Sequence, residues 1–266
     1  MYNYKKNRTR YQSDDLGSLY IDESKLNNQE QPIIYIGGQM EHRLHKLEQS
    51  GYTLDAGTTM FTGTWAYEYP ATTTYKNEYN GRNFARSLIS SIEEANLEDV
   101  ILLTESYGGT IASYATKSDR IHSVIAIHPA ITGTPLASPS YMQRFKPIFT
   151  KRQNDLLEVA TYVVDEDFGF QKENYHGALF HLVDLNKLLV VGSSINQETE
   201  QNPLFKETAD MIEKITGTKS DGITRFNPEE LDRLGINYLI EDESANHLQA
   251  ASKEHIAKVY QKTLKR

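Results

Sequence analysis

Five apolar runs constrain this chain more than any other feature. They are "PIIYIGG" (32–38), "DVILLTE" (99–105), "HSVIAIHP" (122–129), "KLLVVGS" (187–193) and "INYLIED" (236–242). Each is continuous rather than alternating, which is the pattern of strands covered on both faces in a mainly parallel sheet. A further strand is expected within "TTMFTGTW" (58–65) and an edge strand around "GSLYIDE" (17–23). Between the runs lie helical patterns. "RNFARSLISSIEEA" sets Phe84, Leu88 and Ile92 on one face, and "IASYATK" follows the second run. "LFKETADMIEKI" aligns Leu204, Thr208, Met211, Ile212 and Ile215, and one helix is expected over "HLQAASKEHIAKVYQKTL" at the end. Strands alternating with helices predict a doubly wound α/β sheet with helices on both faces.

Two stretches fall outside the alternation. Residues 1–15 are basic and polar and read as a flexible arm, leaving 16–266 as the folded domain. From about 134 to 186 no parallel strand is evident. Tyr141, Phe145, Phe149, Tyr162, Phe168, Phe170, Tyr175 and Phe180 crowd that interval, which reads as an inserted helical cap. Some of these rings either pack the cap on the main domain or line an apolar pocket over a site.

The second run ends in Thr104-Glu105-Ser106-Tyr107-Gly108-Gly109. A strand before, a small-residue helix after and glycine two positions beyond the serine are the context of a nucleophile elbow, which lifts a serine hydroxyl above the sheet. Thr104 stands where that motif ordinarily has glycine. The turn also brings the Tyr107 N–H to a helix N-terminus, where negative charge is favoured, so it is a candidate oxyanion donor. A second donor is expected from the loop after the first run, at Gly38 or Gln39. A phosphate cradle there is disfavoured, because neither G-x-G-x-x-G nor Gly-Lys-Ser/Thr follows.

Ser106 needs a base and an acid. Of the 8 histidines, His247 stands in the loop after the last run, the position for the base when the chain order is serine, acid, histidine. His42 and His45 with Glu41 resemble a metal face only loosely and read as solvated helix surface. His128 borders the site, and His176 and His181 belong to the expected cap. For the acid, Asp221 in "KSDGI" precedes the last strand; Asp-Gly is also an ordinary turn. Glu198 and Asp184 come behind it. Glu105 is expected to point away and to be structural.

Composition narrows the classes. The 266 residues carry 28 Lys+Arg against 36 Asp+Glu, a net charge of -8, which argues against binding to a nucleic-acid backbone. With no cysteine, disulfides, thiolate nucleophiles and Cys-ligated metals are excluded. The N-terminus lacks the apolar core of a signal peptide, and no stretch has the length of a membrane span. The expectation is a cytoplasmic chain, although a mature secreted form would look the same.

"YIGGQ", "ESYGG", "KSDGI" and "ANHLQ" occur in one order, and together resemble the α/β-hydrolase superfamily over roughly residues 30 to 264. "ILLTESYGG" is similar to the Gly-His-Ser-x-Gly-Gly of many lipases and esterases. "IHPAITGTPLASP" resembles the stretch after the following strand in bacterial lipases, and "SDGITRF" resembles an acid-bearing turn of lipase-like members. The resemblance implies an α/β-hydrolase fold with Ser106 as nucleophile, His247 as base and Asp221 as acid. It implies Tyr107 with Gly38 or Gln39 as oxyanion donors, and no metal or cofactor. The expected activity is lipase- or esterase-like hydrolysis of a small carboxylic ester through an acyl-enzyme. A thioesterase, peptidase or acyltransferase on the same triad is the alternative, and a non-catalytic binding protein is the rival from another class.

Overall fold

The computed structural model describes residues 9–12, 16–21, 31–38, 65–69, 80–131, 134–135, 183–192, 203–241, 247–250 and 252–263. Its strands are β1 (Thr9–Tyr11), β2 (Ser18–Ile21), β3 (Ile33–Ile36), β4 (Trp65–Glu68), β5 (Val100–Glu105), β6 (Ile121–Ile127), β7 (Leu188–Gly192) and β8 (Asn237–Ile240). Its helices are α1 (Gly81–Glu94), α2 (Tyr107–Ala115), α3 (Pro203–Thr216), α4 (Pro228–Leu234), α5 (His247–Ala250) and α6 (Lys253–Thr263).

Among the described residues these strands form one sheet in the order β1-β2-β4-β3-β5-β6-β7-β8. β1 and β2 pair antiparallel, as do β2 and β4; every later pairing is parallel. All five apolar runs hold strands.

The continuity of the runs has a direct cause. Along β5, Val100 and Leu102 face one core together with Phe84, Leu88 and Ile92 of α1 and Ile111 of α2. Ile101 and Leu103 face the other, with Tyr35, Ile125, Val191, and Ile256 and Val259 of α6. Side chains alternate between faces with period two, but both faces are apolar because helices cover both.

Several boundaries differ from the sequence expectation. Thr9–Tyr11, inside the expected arm, is the outermost strand, so β2 is not the edge. β4 covers Trp65–Glu68, and the rest of the expected strand, 58–64, lies outside the described residues. The C-terminal segment is two helices, because Ser252 Oγ accepts the His255 N–H at 3.3 Å and opens a new one. On α3, Thr208 and Ile212 are the buried positions among the described side chains, which do not include Leu204. α4 was not anticipated: Asn227 caps it, Pro228 starts it, and Gly235 at φ 70° ends it. The expected cap lies outside the described residues apart from Thr134, Pro135 and 183–186. No described helix is long and apolar enough to cross a membrane.

Candidate active site

Ser106 stands between β5 and α2 at φ 52° and ψ -124°, a strained conformation for a residue with a side chain. The turn can close because glycine follows it. A Cβ on Gly108 would stand 2.2 Å from the Ile36 carbonyl oxygen, and one on Gly109 would stand 2.6 Å from Pro129 Cβ. Thr104 in place of glycine is accommodated inside β5, fully buried, its hydroxyl donating to the Ile125 carbonyl at 3.3 Å.

His247 opens α5 and reaches Ser106 from the far end of the chain. Its Nε2 lies 2.8 Å from Ser106 Oγ, and its Nδ1 lies 2.7 Å from Asp221 Oδ2. Asp221 sits in the turn between α3 and α4, where Gly222 takes φ 98°. Its Oδ1 accepts the N–H groups of Ile223 at 2.9 Å and Thr224 at 2.7 Å, and Thr224 Oγ1 donates to Oδ2 at 2.9 Å. The structure therefore brings together three side chains spread over 141 residues of sequence. Glu198 lies outside the described residues. Asp184 instead caps a short 3-10 turn, accepting the Asn186 N–H at 3.1 Å.

Two expectations are corrected here. Glu105 does not point away: its Oε2 accepts the Gly38 N–H at 2.8 Å, and its Oε1 is 3.6 Å from His247 Nε2. The Gly38 N–H, one of the two expected second oxyanion donors, is thus engaged by a carboxylate. Tyr69 holds the other side of the same peptide, its hydroxyl donating to the Gly37 carbonyl at 3.0 Å. The peptide cannot turn without losing both bonds. Gln39, the other expected donor, lies outside the described residues. Tyr107 is the first residue of α2, with its ring buried 5.9 Å from that of Tyr69.

His128 is more than a bystander. It follows β6 at φ 43°, buried, with Nδ1 2.8 Å from Asp221 Oδ2 and Nε2 2.8 Å from Glu241 Oε2. Glu241 Oε1 in turn lies 2.7 Å from His255 Nε2, angled off the direction of a hydrogen bond. Glu241 and His255 carried no signal in the sequence. Among the described residues, His128, Glu241 and His255 bring ligating atoms within 4.8 Å of one another, as do His128, Asp221 and His247. The nitrogen–oxygen contacts of 2.7–2.8 Å are hydrogen-bond lengths. Two donors on a tetrahedral zinc, at bonds of about 2.0–2.1 Å, stand ~3.3 Å apart. As they stand, the contacts of His128 with Asp221 and Glu241 and of His247 with Asp221 form a hydrogen-bonded network.

Electrostatics follow from burial and pairing. Burial would raise the Asp221 carboxyl, but the His247 charge and the hydrogen bonds from His128 and His247 win and hold it well below the usual carboxylate range. Burial would lower His247; the charge and hydrogen bond of Asp221, with Glu105, outweigh it and the shift is upward. Glu105 is pushed up chiefly by burial, which His247 and the Gly38 N–H only partly offset. The arrangement offers a serine hydroxyl bonded to an imidazole whose other nitrogen is held by a buried carboxylate, the constellation that lets a hydroxyl act as nucleophile.

Comparison with protein-family models and with curated proteins found no match. Solved structures do match. A lipase from Bacillus licheniformis in its mature form shares 14% identity at a TM-score of 0.53, over 88% of this chain and 92% of its own. A candidate aryl esterase from Burkholderia cenocepacia shares 15% at 0.50, over 97% and 100%. A candidate epoxide hydrolase from Klebsiella pneumoniae subsp. pneumoniae shares 8% at 0.51, over 97% and 98%. Identities this low speak of architecture alone. With its mainly parallel sheet and the serine turn between β5 and α2, the chain has the α/β-hydrolase fold.

Proposed function

We infer that the protein is a serine hydrolase that cleaves a carboxylic ester through an acyl-enzyme. The observation that carries this reading is the hydrogen-bonded series Ser106 Oγ, His247 Nε2, His247 Nδ1, Asp221 Oδ2, at 2.8 and 2.7 Å. Ser106 Oγ attacks the ester carbonyl carbon while His247 Nε2 takes the hydroxyl proton. Asp221 keeps the imidazole oriented and stabilises the cation that forms. The carbonyl electron pair moves onto oxygen, and the Tyr107 N–H at the start of α2 receives it. With the Gly38 N–H held by Glu105, Gln39 becomes the candidate for the second donor. On collapse the carbon–oxygen bond to the alcohol breaks and His247 returns the proton to that oxygen. Water then repeats the sequence and frees the acid and Ser106.

An ester is favoured because this constellation suits acyl transfer and two of the fold neighbours carry lipase or esterase names. The test is labelling of the purified protein by a fluorophosphonate probe, beside Ser106→Ala and His247→Ala. Labelling of the wild type and of neither variant supports the reading, and a panel of esters, thioesters and amides then selects the substrate. A folded wild type that stays unlabelled rejects it and leaves a binding protein on a hydrolase scaffold.

A further inference from the structure

Asp221 receives an imidazole from each side. Its Oδ2 lies 2.7 Å from His247 Nδ1 and 2.8 Å from His128 Nδ1. The second ring continues to Glu241, whose Oε2 lies 2.8 Å from His128 Nε2. An ionised carboxylate only accepts hydrogen bonds. With a carboxylate oxygen on each ring nitrogen, His128 meets both contacts by carrying a proton on each. That species is the imidazolium. The His128 side chain is 2% exposed, Asp221 4% and Glu241 6%, so none of the three can fall back on bulk solvent for a partner.

The backbone is a second sign. A φ of 43° is costly for a residue with a Cβ and persists where the surroundings over-determine it. The His128 N–H donates to the Val191 carbonyl at 2.8 Å, and its carbonyl accepts from Thr224 Oγ1 at 3.4 Å. Thr224 also holds Asp221. The ring and the acid are therefore set by the same turn.

A general base has to be neutral before it can take a proton. Two carboxylates face His247, Asp221 at 2.7 Å and Glu105 at 3.6 Å, and both favour keeping it protonated. His128 is the positive group that opposes them. Around His128 itself stand Asp221, Glu241 and Glu105, with the His255 ring edge-on at 5.9 Å. We propose that His128 is a positioning residue, a sealed cation between Asp221 and Glu241 that fixes the acid and makes His247 readier to give up its proton. The proposal rests on the reading of Ser106, His247 and Asp221 as a triad. Burial alone would lower His128, but hydrogen bonding to Asp221 and Glu241 pushes it up to about 10, and its charge acts downward on His247.

Nitrogen-15 spectra of the histidine rings across pH, in the wild type and in His128→Asn, test this. Asparagine keeps a donor for Asp221 and tolerates positive φ, yet removes the charge. In the wild type, both His128 nitrogens should stay protonated to about pH 8 or beyond. In the variant the His247 pKa should rise, and the acid limb of kcat/KM should move to higher pH with it. A wild-type His128 that titrates like an ordinary histidine overturns the proposal, whether or not the variant folds. So does a folded variant whose His247 titrates as before. Because the spectra read His247 directly, a wild type without hydrolytic activity would end the hydrolase reading and still leave this test decisive.

Discussion

At the scale of single residues, the site depends on atoms that have no room to move. Gly108 is the sharpest case. A methyl group there would meet the Ile36 carbonyl at 2.2 Å and the Gly37 carbonyl at 2.8 Å, both backbone atoms of the neighbouring strand and its loop. Gly108→Ala should destabilise the protein by more than about 2 kcal/mol, read as a lower denaturant midpoint at unchanged slope. Asp221 is a different kind of residue, because asparagine keeps its shape while losing its charge. Asp221→Asn removes the acceptor that sets the His247 tautomer and should cut kcat/KM on the order of 10³–10⁴-fold with an unaltered circular dichroism spectrum. Near-normal turnover would reassign the acid. Ser106 and His247 were legible as candidates because each follows a strand run. Glu105 was misread: its side chain direction depends on the loop after β3, whose course no local pattern encodes.

At the scale of elements, both covers of the sheet are held by few residues. α1 begins where Asn80 Oδ1 accepts the Asn83 N–H at 2.9 Å, and it buries Phe84, Leu88 and Ile92 completely. Asn80→Ala should cost ~1 kcal/mol through the lost cap, whereas Leu88→Ala should cost about 2–5 kcal/mol through the cavity. Urea titration of the two variants distinguishes these effects, and equal losses would contradict the assignment. The periodicity of α1 was plain in the sequence, since one face is apolar and the other charged. α4 was not, because it spans Pro228–Leu234 only, with Leu231 as its buried apolar side chain. The break between α5 and α6 escaped notice for a similar reason. A serine inside a continuing apolar pattern reads as helix until its hydroxyl is seen to cap.

At the scale of the whole molecule, buried charge sets the response to pH. Glu241 is lowered to about 2: burial opposes, and the hydrogen bond from His128 and the contact with His255 prevail. Its stabilisation is complete above 4.5 and fades as pH falls towards 2. His128, raised to about 10, contributes fully below 6.5 and loses that contribution as pH climbs towards 10. Glu68, at the end of β4, is raised to about 7 by burial, so its ionisation subtracts stability from 4.5 upward. The three effects together place the highest Tm between about pH 4.5 and 6.5, near the acid end. Calorimetry from about pH 3 to 9 checks this, and a maximum above pH 8 would contradict it. Glu68→Gln should flatten the fall between about pH 5 and 7 without changing Tm at acid pH.

Sequence alone determined the parallel sheet, the covering helix α1, the serine turn and the order of candidate residues along the chain. These are local matters: a strand buried on both faces must be apolar throughout, and a tight strand-to-helix turn must carry glycine. Tertiary structure decided which side chains meet. His247 and Ser106 are 141 residues apart, and His128 and Glu241 are 113 apart. Their contacts follow from parallel strands ending at one edge of the sheet. So do the engagement of the Gly38 N–H by Glu105 and the two imidazoles on Asp221. Each of those contacts depends on distances across strands rather than along them, and periodicity in a sequence measures only the latter.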